Sequence, residues 1–111
     1  MEIETLYRGD TFDFDVTAEY EKSKAPYIFE KDEILKMGLK VGDYEGAKYL
    51  LYKETKVNDT TDTVYFEFTP EETKKLSTGI RILEVQLTTS AGKVRTIYQE
   101  NVEIKGDIIN D

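Results

Sequence analysis

The chain has 111 residues, enough for one domain around a single core, and 39% of them are hydrophobic, with eight tyrosines and five phenylalanines. It contains neither cysteine nor histidine, which excludes disulfides, thiolate nucleophiles, cysteine–zinc sites and every catalytic arrangement built on histidine. With 23 acidic against 15 basic residues the formal net charge is −8; the basic residues are scattered, so nucleic acid is repelled and is not an expected partner.

The opening "MEIETLY" is acidic and strand-like, without the apolar run of a secretory signal. No later stretch reaches the ~20 apolar residues that a membrane-spanning helix needs. These features predict synthesis in the cytoplasm and no membrane partner. "RGD" (Arg8 to Asp10) then reads as a turn, with a positive φ expected at Gly9. "FDFDVTAEY" (Phe12 to Tyr20) alternates strictly: Phe12, Phe14, Val16, Ala18 and Tyr20 face one way, Asp13, Asp15, Thr17 and Glu19 the other. That period of two predicts a half-buried strand over 12–20. "EKSKAP" is a polar loop.

"DEILKMGLK" places Leu35, Met37 and Leu39 on one face, with Ile34, Lys36 and Gly38 on a face that looks to solvent. "VGDYEGAK" reads as loop, "YLLYKETKV" (Tyr49 to Val57) as strand, "NDTTD" as turn, and "TVYFEF" as a strand with Val64, Phe66 and Phe68 inside. "TPEETKKLSTG" carries the best helix signal. Thr69 caps, Pro70 is the first helical residue, Glu72 completes a capping box and Gly79 is the stop. The turn is predicted over about residues 70–76. "IRILEVQLTT" and "VRTIYQENVEIK" form a hairpin through "SAGK", with a bulge expected at Asn101. The predicted core comprises Phe14, Val16, Phe66, Phe68, Leu83, Val85 and Leu87. The expected architecture is all-β: an immunoglobulin-like β-sandwich of about seven strands spanning residues 1–111, with a flexible tail over 106–111.

Motifs with chemical readings are few. Arg8-Gly9-Asp10 matches an integrin-adhesion tripeptide, but with no export signal its chemistry is expected in the backbone, the Arg8 and Asp10 side chains contributing little to folding. Asp10, Asp13, Asp15, Asp59 and Asp62 are oxygen donors for calcium only in principle. The spacing of a calcium loop is missing, and solvated charges on a strand fit them better. Asn58-Asp59-Thr60 is formally a glycosylation acceptor and reads as a hairpin turn. Paired carboxylates of a glycosidase have no specific signature here. No catalytic, cofactor or metal residue is therefore assigned, no cofactor or small-molecule ligand is expected, and the chain is not expected to be an enzyme. Tyr7, Tyr20, Tyr27, Tyr44, Tyr49, Tyr52, Tyr65 and Tyr98 leave open a sugar-stacking surface, as in a carbohydrate-binding module, or a protein interface.

Two segments, "YRGDTFDFDV" and "FEFTPEETKKLSTGIRILEVQLTTSAGKVRTIYQENVEI", resemble small bacteriophage virion proteins, in particular the N-terminal immunoglobulin-like domain of phage baseplate upper and tail-associated proteins. The likeness lies in turns and core positions; Arg81 and Leu83 depart from it, since related chains often carry aromatics there. It implies a structural or adaptor component of a phage or prophage tail or baseplate, made in a bacterial cytoplasm and incorporated in the virion. Its partners would be other phage structural proteins or copies of itself. No functional residue carries over.

Overall fold

Residues 4–42 and 44–106 are described by a computed structural model of the chain. The strands are β1 (Glu4–Tyr7), β2 (Phe12–Val16), β3 (Ile34–Lys40), β4 (Tyr49–Lys56), β5 (Val64–Phe68), β6 (Gly79–Thr88) and β7 (Val94–Lys105), with one helix, α1 (Pro70–Lys74), between β5 and β6. They make two sheets. Five strands lie in the order β1-β7-β6-β3-β4, and β2 pairs with β5 in a two-stranded ribbon. All pairings are antiparallel except β1 with β7, which is parallel. The result is an all-β, sandwich-like fold.

The alternation read from the sequence sets which face is buried. On β3 and β6, register places Leu35 opposite Leu87, Met37 opposite Val85 and Leu39 opposite Leu83, and all six are buried. The ribbon closes on this stripe with Val16, Val64, Phe66 and Phe68, while Val102, Ile104 and Leu6 extend it beneath β7 and β1. Phe14, expected inside, is only half-buried; its ring lies 6.3 Å from that of Phe66 at the margin of the ribbon.

Several boundaries differ from the sequence reading. The strand expected over 12–20 ends at Val16 because its partner begins at Val64, directly opposite. Beyond that point the chain bonds to itself: Tyr27 N–H donates to the Ala18 carbonyl (2.8 Å), Tyr20 N–H to Ala25 (2.9 Å) and Lys24 N–H to Tyr20 (2.8 Å). Tyr20 is left exposed. Gly79 does not stop the helix. α1 ends at Lys74 with Lys75 as C-cap, and Gly79, at φ 131°, opens β6. The bulge falls where Val85 faces Tyr98 but Gln86 faces Thr96, leaving Ile97 as the extra residue; Asn101 stays in register with Ile82. The tail expected over 106–111 lies outside the described residues from 107 onwards.

Gly38, expected on a solvent face, is buried. The Tyr49 ring lies across it so closely that a Cβ at this position would overlap the ring. The segment between β2 and β3 supplies a second unexpected core element, Phe29, which is fully buried and bridges Thr61. Glu33, also buried, holds this segment: one carboxylate oxygen accepts from Tyr27 Oη (2.7 Å) and the other from Glu30 N–H (2.7 Å).

The helix start follows the expected capping box. Thr69 N–H donates to Glu72 Oε1 (3.0 Å) and Glu72 N–H to Thr69 Oγ1 (3.3 Å). Lys53 of β4 reaches the same Glu72 oxygen at 2.9 Å and also lies over the Phe68 ring. The bond from the Thr69 backbone, and then Lys53, hold the Glu72 carboxyl below its ordinary value.

Two outcomes follow from this packing. Phe66→Ala should cost ~3–5 kcal/mol, read by denaturant unfolding; a loss below ~0.5 kcal/mol is surface behaviour and would contradict the buried ribbon. Because the folded-state pKa of Glu72 is depressed, its contribution is present above the unfolded value and is lost as pH falls through the folded one. Glu72→Gln should therefore lower the melting temperature at neutral pH. The deficit should shrink as pH drops below 4.5, and an unchanged deficit would refute the assignment.

Candidate functional site

The Arg8-Gly9-Asp10 turn is held against α1. Gly9 has φ 86°, the left-handed region a side chain resists. The Arg8 N–H continues the β1–β7 ladder by donating to Lys105 (3.0 Å), and the Asp10 N–H closes the turn on Tyr7 (3.2 Å). Thr73, fully buried, then clasps it from the helix: its Oγ1 accepts from Gly9 N–H (3.1 Å) and donates to the Asp10 carbonyl (2.7 Å). Arg8 Nη2 donates to the Lys74 carbonyl (2.9 Å), placing a cation at the C-terminal end of the helix. The Arg8 side chain thus has a structural role that the sequence reading denied it. Asp10 is exposed.

The aspartates considered for calcium do not converge. Asp13 and Asp15 stand on the outer face of β2, while Asp59 and Asp62 lie in the turn before β5. Among the described residues no group of carboxylates is placed to hold a metal ion. Tyr65 has the Asp13 carboxylate at 2.9 Å and Glu67 at 3.2 Å from its hydroxyl. Those bonds, Asp13 first, push the phenol up to about 12.

The tyrosines disperse over several surfaces. Tyr20 and Tyr27 pack together near the β2–β3 segment, and Tyr65 lies on the outer face of the ribbon. Tyr49 and Tyr52 form a half-exposed pair on the outer face of the larger sheet, ring centroids 5.3 Å apart. Lys40 lies over Tyr49 and pairs with the buried Glu84 at 3.4 Å.

Tyr98 belongs to a different place, which no sequence signal indicated. Register puts Tyr98 and Glu100 of β7 on the inner face of the larger sheet, beside Val85 and Leu83, yet the ribbon does not extend over them. A groove of about 210 Å³ is left, floored by Glu4, Leu83, Tyr98 and Glu100 and walled by β2 and the Thr17 that follows it. Six consecutive wall residues from both faces of a strand are what an open strand edge presents. Among the described residues β2 pairs with β5 alone. At Thr17 the groove meets a wider cleft, which continues along β7 past Ile97 and Arg95 and is bordered by the 17–27 segment. The first part is lined by four carboxylates (Glu4, Asp13, Asp15 and Glu100) and the second by three, against the single cation Arg95. Burial, and then the neighbouring Glu4, push the Glu100 carboxyl above its ordinary value.

Compared with protein-family models, curated proteins and solved structures, the chain gives no match.

The turn geometry orders three substitutions. Gly9→Val should cost at least about 1–2 kcal/mol, from left-handed strain alone, and Arg8→Ala about 1 kcal/mol through the lost bond to Lys74. Asp10→Glu should stay within ~0.5 kcal/mol. Thermal melts of the three variants check the order, and an Asp10→Glu loss as large as that of Gly9→Val would show that the aspartate side chain, not the backbone, holds the turn.

Proposed function

We propose that this domain is a non-enzymatic structural or adaptor component of a phage or prophage tail or baseplate, acting through contacts with neighbouring structural proteins or with copies of itself. The observation that carries the reading is the open edge of β2. Among the described residues that edge has no partner strand and lies beside an aromatic, acidic groove, and addition of a strand to such an edge is a general mode of protein recognition. The strand order, with the first strand parallel to the last and a helical turn at the crossover between sheets, suits an immunoglobulin-like sandwich. The phage setting rests on the resemblance of the two segments quoted above.

One observation favours a second reading. The Tyr49–Tyr52 pair, with Lys40 beside it, is an aromatic surface on which a sugar ring can stack, as in a carbohydrate-binding module. The two readings separate in one comparison. Under the first, an antibody to this protein labels the tail end of purified phage particles in negative stain, and Tyr52→Ala leaves that labelling unchanged. Unlabelled particles, together with retention of the protein on a polysaccharide column that Tyr52→Ala abolishes, would replace the first reading by the second.

A further inference from the structure

We infer that the groove between β2 and β7 receives an extended, lysine- or arginine-bearing segment of a partner protein, which adds to the free edge of β2 as a third strand of the smaller sheet. This rests on the reading of the domain as a protein-contact module and names the chemistry of its partner.

The dimensions follow from the sheet arrangement. Neighbouring strands lie about 4.8 Å apart, and the ribbon stops one side short of β7, so the vacant lane over Tyr98 and Glu100 continues the smaller sheet in its own plane. An occupant in that lane meets two environments in alternation, because successive side chains of a strand point to opposite faces. Those pointing inward lie over Leu83, Tyr98, Glu100 and Glu4. Those pointing outward stand across the strand from Asp13 and Asp15, which occupy the outer face of β2. Carboxylates wait on both sides, so a basic residue in either alternation finds a counter-charge, and acidic residues directly opposite are repelled.

The groups that face the lane support this polarity from each element. β1 contributes Glu4, β2 contributes Asp13 and Asp15, and β7 contributes Glu100 beside Tyr98. Among the described residues none of these carboxylates has a salt bridge. The Glu100 carboxyl is held above its ordinary value by burial and then by Glu4, and a cation laid against it offsets both. The two edges of the larger sheet lack this combination. β4 carries Lys53 and Lys56, both already paired with acids, and β1 is only four residues long.

Three short synthetic peptides test the inference, alternating valine with lysine, with glutamine or with glutamate, each titrated into the full chain while amide exchange is followed residue by residue. The lysine peptide should slow exchange at alternate amides of β2 and bind about tenfold more tightly than the glutamine peptide, with the glutamate peptide weakest. The Glu4→Gln/Glu100→Gln variant should lose most of that preference. Its melting temperature should not fall, since it removes two carboxylates that disfavour each other, so lost selectivity cannot be misfolding. Equal affinity for the three peptides would overturn the inference. So would unchanged β2 exchange with the lysine peptide. β2 amides already protected before any peptide is added would mean that the edge is covered by a second copy or by the chain's own ends, and would overturn it too. Protection confined to the β4 edge would reject this groove while leaving the contact reading intact, whereas that reading itself fails only if phage particles carry no label.

Discussion

The smaller sheet is too narrow for the larger one, and the rest of the molecule is arranged around that mismatch. Five strands present an inner face of aliphatic side chains, and two strands are available to cover it. The ribbon sits over β3 and β6, where Leu35, Met37, Leu39, Leu83, Val85 and Leu87 form a continuous apolar stripe, since burial there removes the most apolar surface from water. Beyond the Val16–Val64 end of the ribbon the core is continued by Phe29, which the segment between β2 and β3 brings in against Thr61, and Leu76 is buried at the crossover. Toward β7 the Val102–Ile104 end is covered, but over Tyr98 and Glu100 a groove remains among the described residues, where the inner face changes from aliphatic to polar. The polar residues stand where the cover ends.

Electrostatics reinforces the same division. Four of the fifteen cations have specific partners that bear on the fold: Lys53 with Glu72, Lys40 with Glu84, Lys56 with Asp32 and Arg8 with the end of α1. These contacts fasten the helix and the β3–β4 side of the large sheet. Acids also line the groove and the outer face of the ribbon, where Tyr65 bridges the carboxylates of Asp13 and Glu67. In a chain of net charge −8, four acids without an ion pair among the described residues, Glu4, Asp13, Asp15 and Glu100, stand beside the open edge. An acidic edge also discourages pairing of one copy with another through β2.

How much of this was legible depended on whether a segment's environment was two-sided. β2, β3, β5 and β6 alternate visibly because each has one face on the core, and the capping box of α1 is a local device whose partners lie three residues apart. The misses came from non-local partners. The end of β2 is decided by where β5 begins, and no residue between Val16 and Tyr20 records that. Gly38 reads as a solvent-side residue until Tyr49 is folded over it, and Phe29 sits in a charged stretch with no periodicity to mark it as core. The groove was illegible for a related reason. Alternation indicates which residues face inward on each strand, but not whether the opposite sheet is wide enough to reach them.

The parallel pairing of β1 with β7 sets an order of events during synthesis. Among the described residues the first strand of the domain is joined to the last, and at about 5–20 residues per second β1 waits several seconds for its partner. During that interval the turn at Gly9 has no α1 to clasp it until Thr73 emerges, and Leu6 has no Ile104 to cover it. The hairpins β3–β4 and β6–β7 are local and can assemble as they appear, whereas β1 can join the sheet only after the whole domain has been made. Completion of this domain therefore waits for its C-terminal strand, and a chain interrupted before β7 leaves β1 as a bare strand of backbone for other nascent chains to find.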